Sequence, residues 1–127
     1  MKKIESSRAN AAMGTYSQGI VSGNLVFVSG QLGIDPETGK LADGIENQLR
    51  YALRNVLYIL NEQNLDFSHI VKTTILLTDM EDFQKVNVIY SEQFVEPFPA
   101  RSAFAVKELP MGALVEIEVI AELNSEN

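Results

Sequence analysis

Arg101 and the pair Glu116 and Glu118 are the charges of this chain set where chemistry is plausible. Arg101 follows Pro99-Ala100 and heads the apolar stretch Arg101 to Glu108. The two carboxylates stand inside Leu114 to Leu123, a run otherwise rich in Val, Ile and Leu. Burying an unpaired charge costs several kcal/mol or forces its neutralisation. These side chains therefore face solvent, sit at an interface, or line a site. The guanidinium fork of Arg101 suits a carboxylate held bidentately. It serves equally well in a plain ion pair with Glu116 or Glu118. Glu116 and Glu118 are two residues apart and share one face of an extended strand, with Val115, Ile117, Val119 and Ala121 on the other. Leu114 and Ile120 lie on the acidic face, so it is not simply a solvent face. A carboxylate there that meets a water-filled crevice is a candidate general base.

Other residues suit a binding role or a structural one. Tyr16 and Ser17 stand between Gly14 and Gly19 in a small, polar loop, where a phenol anchors packing or lines a pocket. Ser29-Gly30 ends an apolar strand and opens a glycine-bearing loop, which is either a turn or a place where a ligand reaches backbone N–H groups. Gly30-Gln31-Leu32-Gly33 is not a phosphate loop, because the Gly-Lys-Ser/Thr part is missing. Asn87 lies on the apolar stripe of a helix, and an amide there needs partners, either a loop or a ligand. His69, the single histidine, opens a strand and reads as structural. One histidine and no cysteine exclude disulfides, thiolate metal sites and a cysteine nucleophile, and argue against zinc.

The elements that must position these residues follow from periodicity. Ile4 to Ala9 reads as a short edge strand and Ala11 to Gln18 as a loop. Leu25 to Ser29 is apolar on both faces, as in a strand covered on both sides. Ile45, Leu49, Ala52, Leu53, Val56, Ile59 and Leu60 recur at helical spacing, with Asp43 as N-cap and Asn64 as terminator. His69 to Leu77 is a strand, and Thr78 to Asp82 is a capping entry to a second helix with the stripe Phe83, Val86, Asn87, Tyr90 and Phe94. Pro97 and Pro99 stop it. Arg101 to Glu108 and Leu114 to Leu123 are the last strands, joined by a turn at Leu109–Ala113.

The order ββαβαββ predicts an α+β two-layer sandwich, a mixed sheet with two helices on one face. The other face is left bare although the strands are apolar on both sides, which predicts self-association in a closed ring. If the last two strands form a hairpin, Glu116 falls opposite Ala105. That is four residues, or about 13 Å, from Arg101. Cooperation between the two would then need another subunit.

The 127 residues fit a single domain, 1–127, large enough to fold on its own core. A net charge of −7, with 10 basic and 17 acidic residues, speaks against nucleic acid as a partner. No apolar run approaches the ~20 residues of a membrane span, and the basic N-terminus is not followed by a signal-peptide core. A cytoplasmic protein is expected.

Together, Gly14-Thr15-Tyr16-Ser17-Gln18, Val28-Ser29-Gly30-Gln31-Leu32-Gly33 and Pro99-Ala100-Arg101-Ser102…Leu109-Pro110…Val115-Glu116-Ile117-Glu118…Ala121 resemble the reactive intermediate deaminase family, RidA or YjgF. The third block is the most specific, and the resemblance runs over nearly the whole chain. It implies a fold like the trimeric type of chorismate mutase, and a homotrimer with sites in the clefts between subunits. It implies hydrolysis of reactive enamine and imine acids (2-aminoacrylate, its tautomer 2-iminopropanoate, and 2-iminobutanoate) to 2-oxo acids and ammonia. It also implies no metal and no organic cofactor. By position, Arg101 would bind the substrate carboxylate and Glu116 would orient or deprotonate the attacking water. Tyr16, Ser29, Gly30 and Asn87 would line the pocket. Active members commonly carry a cysteine two residues after the arginine; Ala103 stands there, and only its backbone N–H can serve. Glu118 receives no role from the resemblance. The alternative is a regulatory trimer of the same family that binds a 2-oxo or amino acid without turning it over. An RNA-acting member is disfavoured by the acidic charge.

Overall fold

The computed structural model of the chain describes residues 1–124. In chain order its elements are β1 (Lys2–Ile4), β2 (Gly19–Ser22), β3 (Leu25–Leu32), β4 (Ile34–Asp35), β5 (Lys40–Leu41), α1 (Gly44–Asn61), β6 (Ile70–Leu77), α2 (Phe83–Ser91), β7 (Ala100–Ala105) and β8 (Val115–Glu122). Six strands form one mixed sheet in the order β1-β2-β3-β8-β6-β7. All neighbours are antiparallel except β6 and β7. The strands β4 and β5 make a separate ribbon. No helix of the described residues is long and apolar enough to cross a membrane.

Periodicity accounts for the two layers. The predicted α1 stripe of Ile45, Leu49, Ala52, Leu53, Val56, Ile59 and Leu60 is buried throughout. It joins Val115, Ile117, Val119 and Ala121 of β8 and Ile75 and Leu77 of β6 in one core with Val86, Ile89 and Tyr90 of α2. Each such Val, Leu or Ile side chain contributes roughly 1.5–3 kcal/mol by leaving water. The helices thus cover one face of a mixed sheet, as the sequence predicts. The alternate residues of the same strands face away from them. On that bare face Phe27 and Phe104 remain 42% and 49% exposed, far more than any aromatic of a finished core.

Several boundaries differ from the sequence reading. The first strand is Lys2–Ile4 rather than Ile4 to Ala9. The strand β2 was not foreseen; it is short and closes on β3 through a two-residue turn at Gly23, where φ is +62°. The strand β3 runs on to Leu32 instead of ending at Ser29. Val28 pairs with Val119 and Gln31 with Ile117, so Ser29 and Gly30 together oppose the single residue Glu118. What looked like the opening of a loop is a β-bulge. Asp43 occupies the N-cap of α1 without a side-chain cap bond, and the helix ends at Asn61, while Asn64 lies beyond in a left-handed conformation, φ +59°. His69 belongs to a 3₁₀ turn, Phe67–His69, closed by a reciprocal capping box with Asp66. The helix α2 ends at Ser91, and Phe94 beyond it still packs on Tyr90.

The largest correction concerns the end of the chain. The strands β7 and β8 do not form a hairpin, because β6 lies between them, parallel to β7 and antiparallel to β8. The chain leaves β6, crosses through α2 and returns as a parallel neighbour, the usual outcome of a strand–helix–strand unit. Arg101 is therefore the partner of Thr73, and Glu116 the partner of Leu76.

Close approach of α1 to the bend after β3 depends on Gly33. A methyl built there would lie 2.3 Å from the Gln48 carbonyl oxygen and 2.4 Å from its Cα, helix backbone that cannot rotate away. Gly33→Ala is expected to lower stability by about 3 kcal/mol through overpacking, read as a lower urea midpoint at unchanged slope.

Candidate functional site

Arg101 projects to the helix-covered side of the sheet, at its β7 edge. Its Nη1 donates to Asn87 Oδ1 at 2.7 Å. Its guanidinium carbon lies 4.9 Å from the ring centre of Tyr90 and 5.5 Å from that of Phe83, within cation–π range. Phe83, Asn87 and Tyr90 are spaced by four and three residues, so one face of α2 makes this cradle. The cleft around Arg101 is about 420 Å³, walled by Asn87, Tyr90, Phe94, Phe98 and Pro99. Among the described residues Arg101 has no carboxylate partner, so the bland reading of an ion pair with Glu116 or Glu118 does not hold within the chain.

Glu116 lies on the opposite, bare side. Its strand neighbours are Leu32 and Leu76, with Phe104 beyond Leu76. Burial in this apolar setting, and then the charge of Glu118, hold its carboxyl above the ordinary carboxylate value. The bulge brings Gly30 against it: a methyl at Gly30 would stand 2.0 Å from Glu116 Oε2. Only a glycine lets the carboxylate rest over that backbone.

Ser29 serves as a fastening. Its hydroxyl donates to the Ser17 carbonyl at 2.6 Å and its N–H donates to the Gln18 carbonyl at 2.9 Å. These bonds bring the Tyr16 loop to the bulge. Tyr16 itself is half-exposed, and its hydroxyl accepts from the Met13 N–H at 3.4 Å. A groove of about 320 Å³ on the bare face runs past Ser17, Ser29, Lys72, Thr74 and Glu118. Ala103 pairs with Ile75 and packs against the core on the helix side.

The chain thus brings Arg101 to Asn87, and Glu116 to Gly30 with Ser29 nearby, but keeps the two groups apart. Two strand spacings and three residues along β6 separate Arg101 from Glu116 by roughly 14 Å between Cα atoms. They also point to opposite faces. The separation foreseen from a hairpin persists, for a different reason.

Four supporting residues escaped the sequence reading. Tyr90 and Thr73 share a buried hydroxyl–hydroxyl bond of 2.8 Å behind Arg101. Gln48 Oε1 accepts from the Leu114 N–H at 2.8 Å, fixing the start of β8. Asn55 Nδ2 donates to the Ile34 carbonyl at 3.0 Å, holding the bend after β3. A usable signal was present for the last two: like Asn87, they are amides beside an apolar helical stripe. Among the described residues no group of three or more His, Asp or Glu side chains could hold a metal ion.

Comparison with known proteins agrees with this architecture. Residues 6–123 match the family described as Endoribonuclease L-PSP. The chain is 48% identical over 121 residues to Reactive Intermediate Deaminase A, chloroplastic, of Arabidopsis thaliana, covering 94% of this chain and 65% of that protein. It is 42% identical over 119 residues to 2-iminobutanoate/2-iminopropanoate deaminase of Homo sapiens, covering 93% and 87%. The crystal structure of RidA from an Antarctic Psychrobacter matches with a TM-score of 0.94 at 40% identity, covering 97% and 100%.

The raised Glu116 carboxyl has a signed consequence for stability. Its folded value lies above its unfolded one, so the folded state holds the proton longer, and stability falls as pH rises between the two. Glu116→Gln removes that loss. Thermal unfolding should show the variant more stable than wild type at pH 7, with the gain gone at about pH 3, below the ordinary carboxylate range. A constant difference at both pH values would contradict the assignment.

Proposed function

This chain belongs to the RidA/YjgF family of reactive intermediate deaminases, and on that premise we propose that it hydrolyses short 2-imino acids to 2-oxo acids and ammonia. The observation that carries the proposal is the guanidinium of Arg101, which has no carboxylate partner among the described residues and is held by Asn87 and two aromatic rings in an open cleft. A cation so placed calls for an anionic ligand, and the fork geometry selects a carboxylate. One N–H is spent on Asn87, which leaves donors for both oxygens of the substrate.

The chemistry asks for little more. A protonated 2-imine is already electrophilic at C2. Glu116 as carboxylate takes a proton from water while the water oxygen bonds to C2, giving a carbinolamine. The protonated Glu116 then passes that proton to the amine nitrogen; as the C–N bond breaks and ammonia leaves, Glu116 takes the hydroxyl proton, the C2 carbonyl forms, and the proton passes on to ammonia as ammonium. A carboxyl with raised proton affinity suits both transfers. Gly30 offers backbone beside the same carboxylate, and Ser29 fixes the Tyr16 loop there. Ala103, in the position of the family cysteine, carries only a methyl group, which takes no part in these transfers.

Arg101 and Glu116 of one chain face opposite ways, so the working site draws them from different copies. The bare apolar face supports this, and the closed homotrimer that the family resemblance implies would supply both.

Ammonia release should accelerate when a serine or threonine dehydratase generates imine beside the protein. Arg101→Ala and Glu116→Gln should each reduce the rate by at least about a hundredfold. Refolding the two variants together should restore about a quarter of wild-type activity, the share of sites that receive both intact residues in a random ring. Binding of 2-oxobutanoate without any turnover would instead favour a regulatory role. No recovery on mixing would exclude the shared site.

A further inference from the structure

Tyr90 reaches both the arginine and the interior of the sheet. Its hydroxyl shares the 2.8 Å bond with Thr73, whose side chain is fully buried. Its ring stands under the guanidinium at 4.9 Å and against Phe94 at 4.5 Å. Thr73 is also the strand partner of Arg101. The residue that pegs the ring is therefore the cross-strand neighbour of the arginine that the ring carries, and the three form a closed loop of backbone pairing, hydrogen bond and cation–π contact.

Such a loop answers a specific difficulty. β7 is the edge of the sheet and Arg101 is exposed. A long side chain on an exposed edge must freeze several torsions to grip a ligand, which weakens binding. The bond to Asn87 fixes the position of one N–H but leaves the guanidinium plane free to turn about it. The face of an aromatic ring removes that freedom, and does so only if the ring itself is held. Phe94 presses it from one side, and the Thr73 hydroxyl stops it from sliding outward. The phenol is buried, and burial raises its proton affinity, so it keeps its proton for this bond.

We infer that Tyr90, pegged by Thr73, is a positioning residue that presets the guanidinium plane of Arg101 for a carboxylate, an inference resting on Arg101 as the carboxylate anchor. Calorimetry of the full chain with 2-oxobutanoate, beside the imine assay, tests it. Tyr90→Leu should raise Kd about tenfold. It should raise KM by a similar factor and leave kcat within about twofold, because the reacting atoms are untouched. The double variant Thr73→Val with Tyr90→Phe removes both hydroxyls with little change of shape, which is near neutral for folding. It should raise Kd about threefold at an unchanged melting temperature, and it decides the matter if Tyr90→Leu does not fold. Unchanged Kd in the double variant, or a fall in kcat at constant KM, overturns the inference while Arg101→Ala still abolishes binding. If Arg101→Ala binds 2-oxobutanoate as wild type does, the anchor reading itself fails and the inference with it.

Discussion

The side-chain alternation of β-strands, read against β6 between its neighbours β7 and β8, governs the rest of this molecule. Arg101 pairs with Thr73 on one side of β6, and Glu116 with Leu76 on the other. Thr73 and Leu76 are three residues apart, an odd number, so their partners point to opposite faces. Neither can be moved alone. A slip of β7 by one residue would turn Arg101 away from α2, and a slip of β8 would drive Glu116 and Glu118 into the core in place of Val115, Ile117 and Val119. The core therefore enforces the division of the two charges, with the cation on the helix side and the carboxylate on the bare side.

The two halves meet different physical demands. A guanidinium keeps its charge everywhere, so its surroundings can tune only its placement. Asn87 and the rings of α2 do that. A carboxylate is tuned in its proton affinity, and here the means are apolar neighbours and a second negative charge. Placement of Glu116 is delegated further back. Gln48 holds the start of β8 through Leu114, and Asn55 holds the bend after β3 through Ile34. Those two clasps bring the bulge glycine and the carboxylate together, and α1 is the rigid element that carries both.

Much of this was legible in the chain. The α1 stripe and the strict alternation of β8 are single-element patterns, and both appear as read. The fate of β7 was legible too. A strand, a helix and a strand in succession, Ile70 to Ala105, imply a parallel crossover that must seat β7 beside β6. The short connection Leu109–Ala113 suggested a hairpin more loudly, because proximity in sequence mimics proximity in the sheet. The bulge was hidden for a stricter reason. That Ser29 and Gly30 share one partner is a property of two strands counted against each other, and no single stretch records it. Asn87 announced itself as an amide on an apolar stripe. Tyr90 did not, since an aromatic on such a stripe is ordinary core, and only its partners Thr73 and Arg101 distinguish it.

The bare face joins these points. Leu32 and Leu76 flank Glu116, with Phe104 beyond Leu76, and the same alternation that placed the acid there placed its apolar rim. Water now reaches that rim. A second copy laid over it would remove the water, and burial acts on Glu116 in the direction already present, toward a firmer hold on its proton. In the proposed shared site the same contact would bring a neighbour's Arg101 toward the carboxylate. In the proposed trimer, association and activation would be one event: the apolar area that drives the copies together is the area whose dehydration tunes the proposed base.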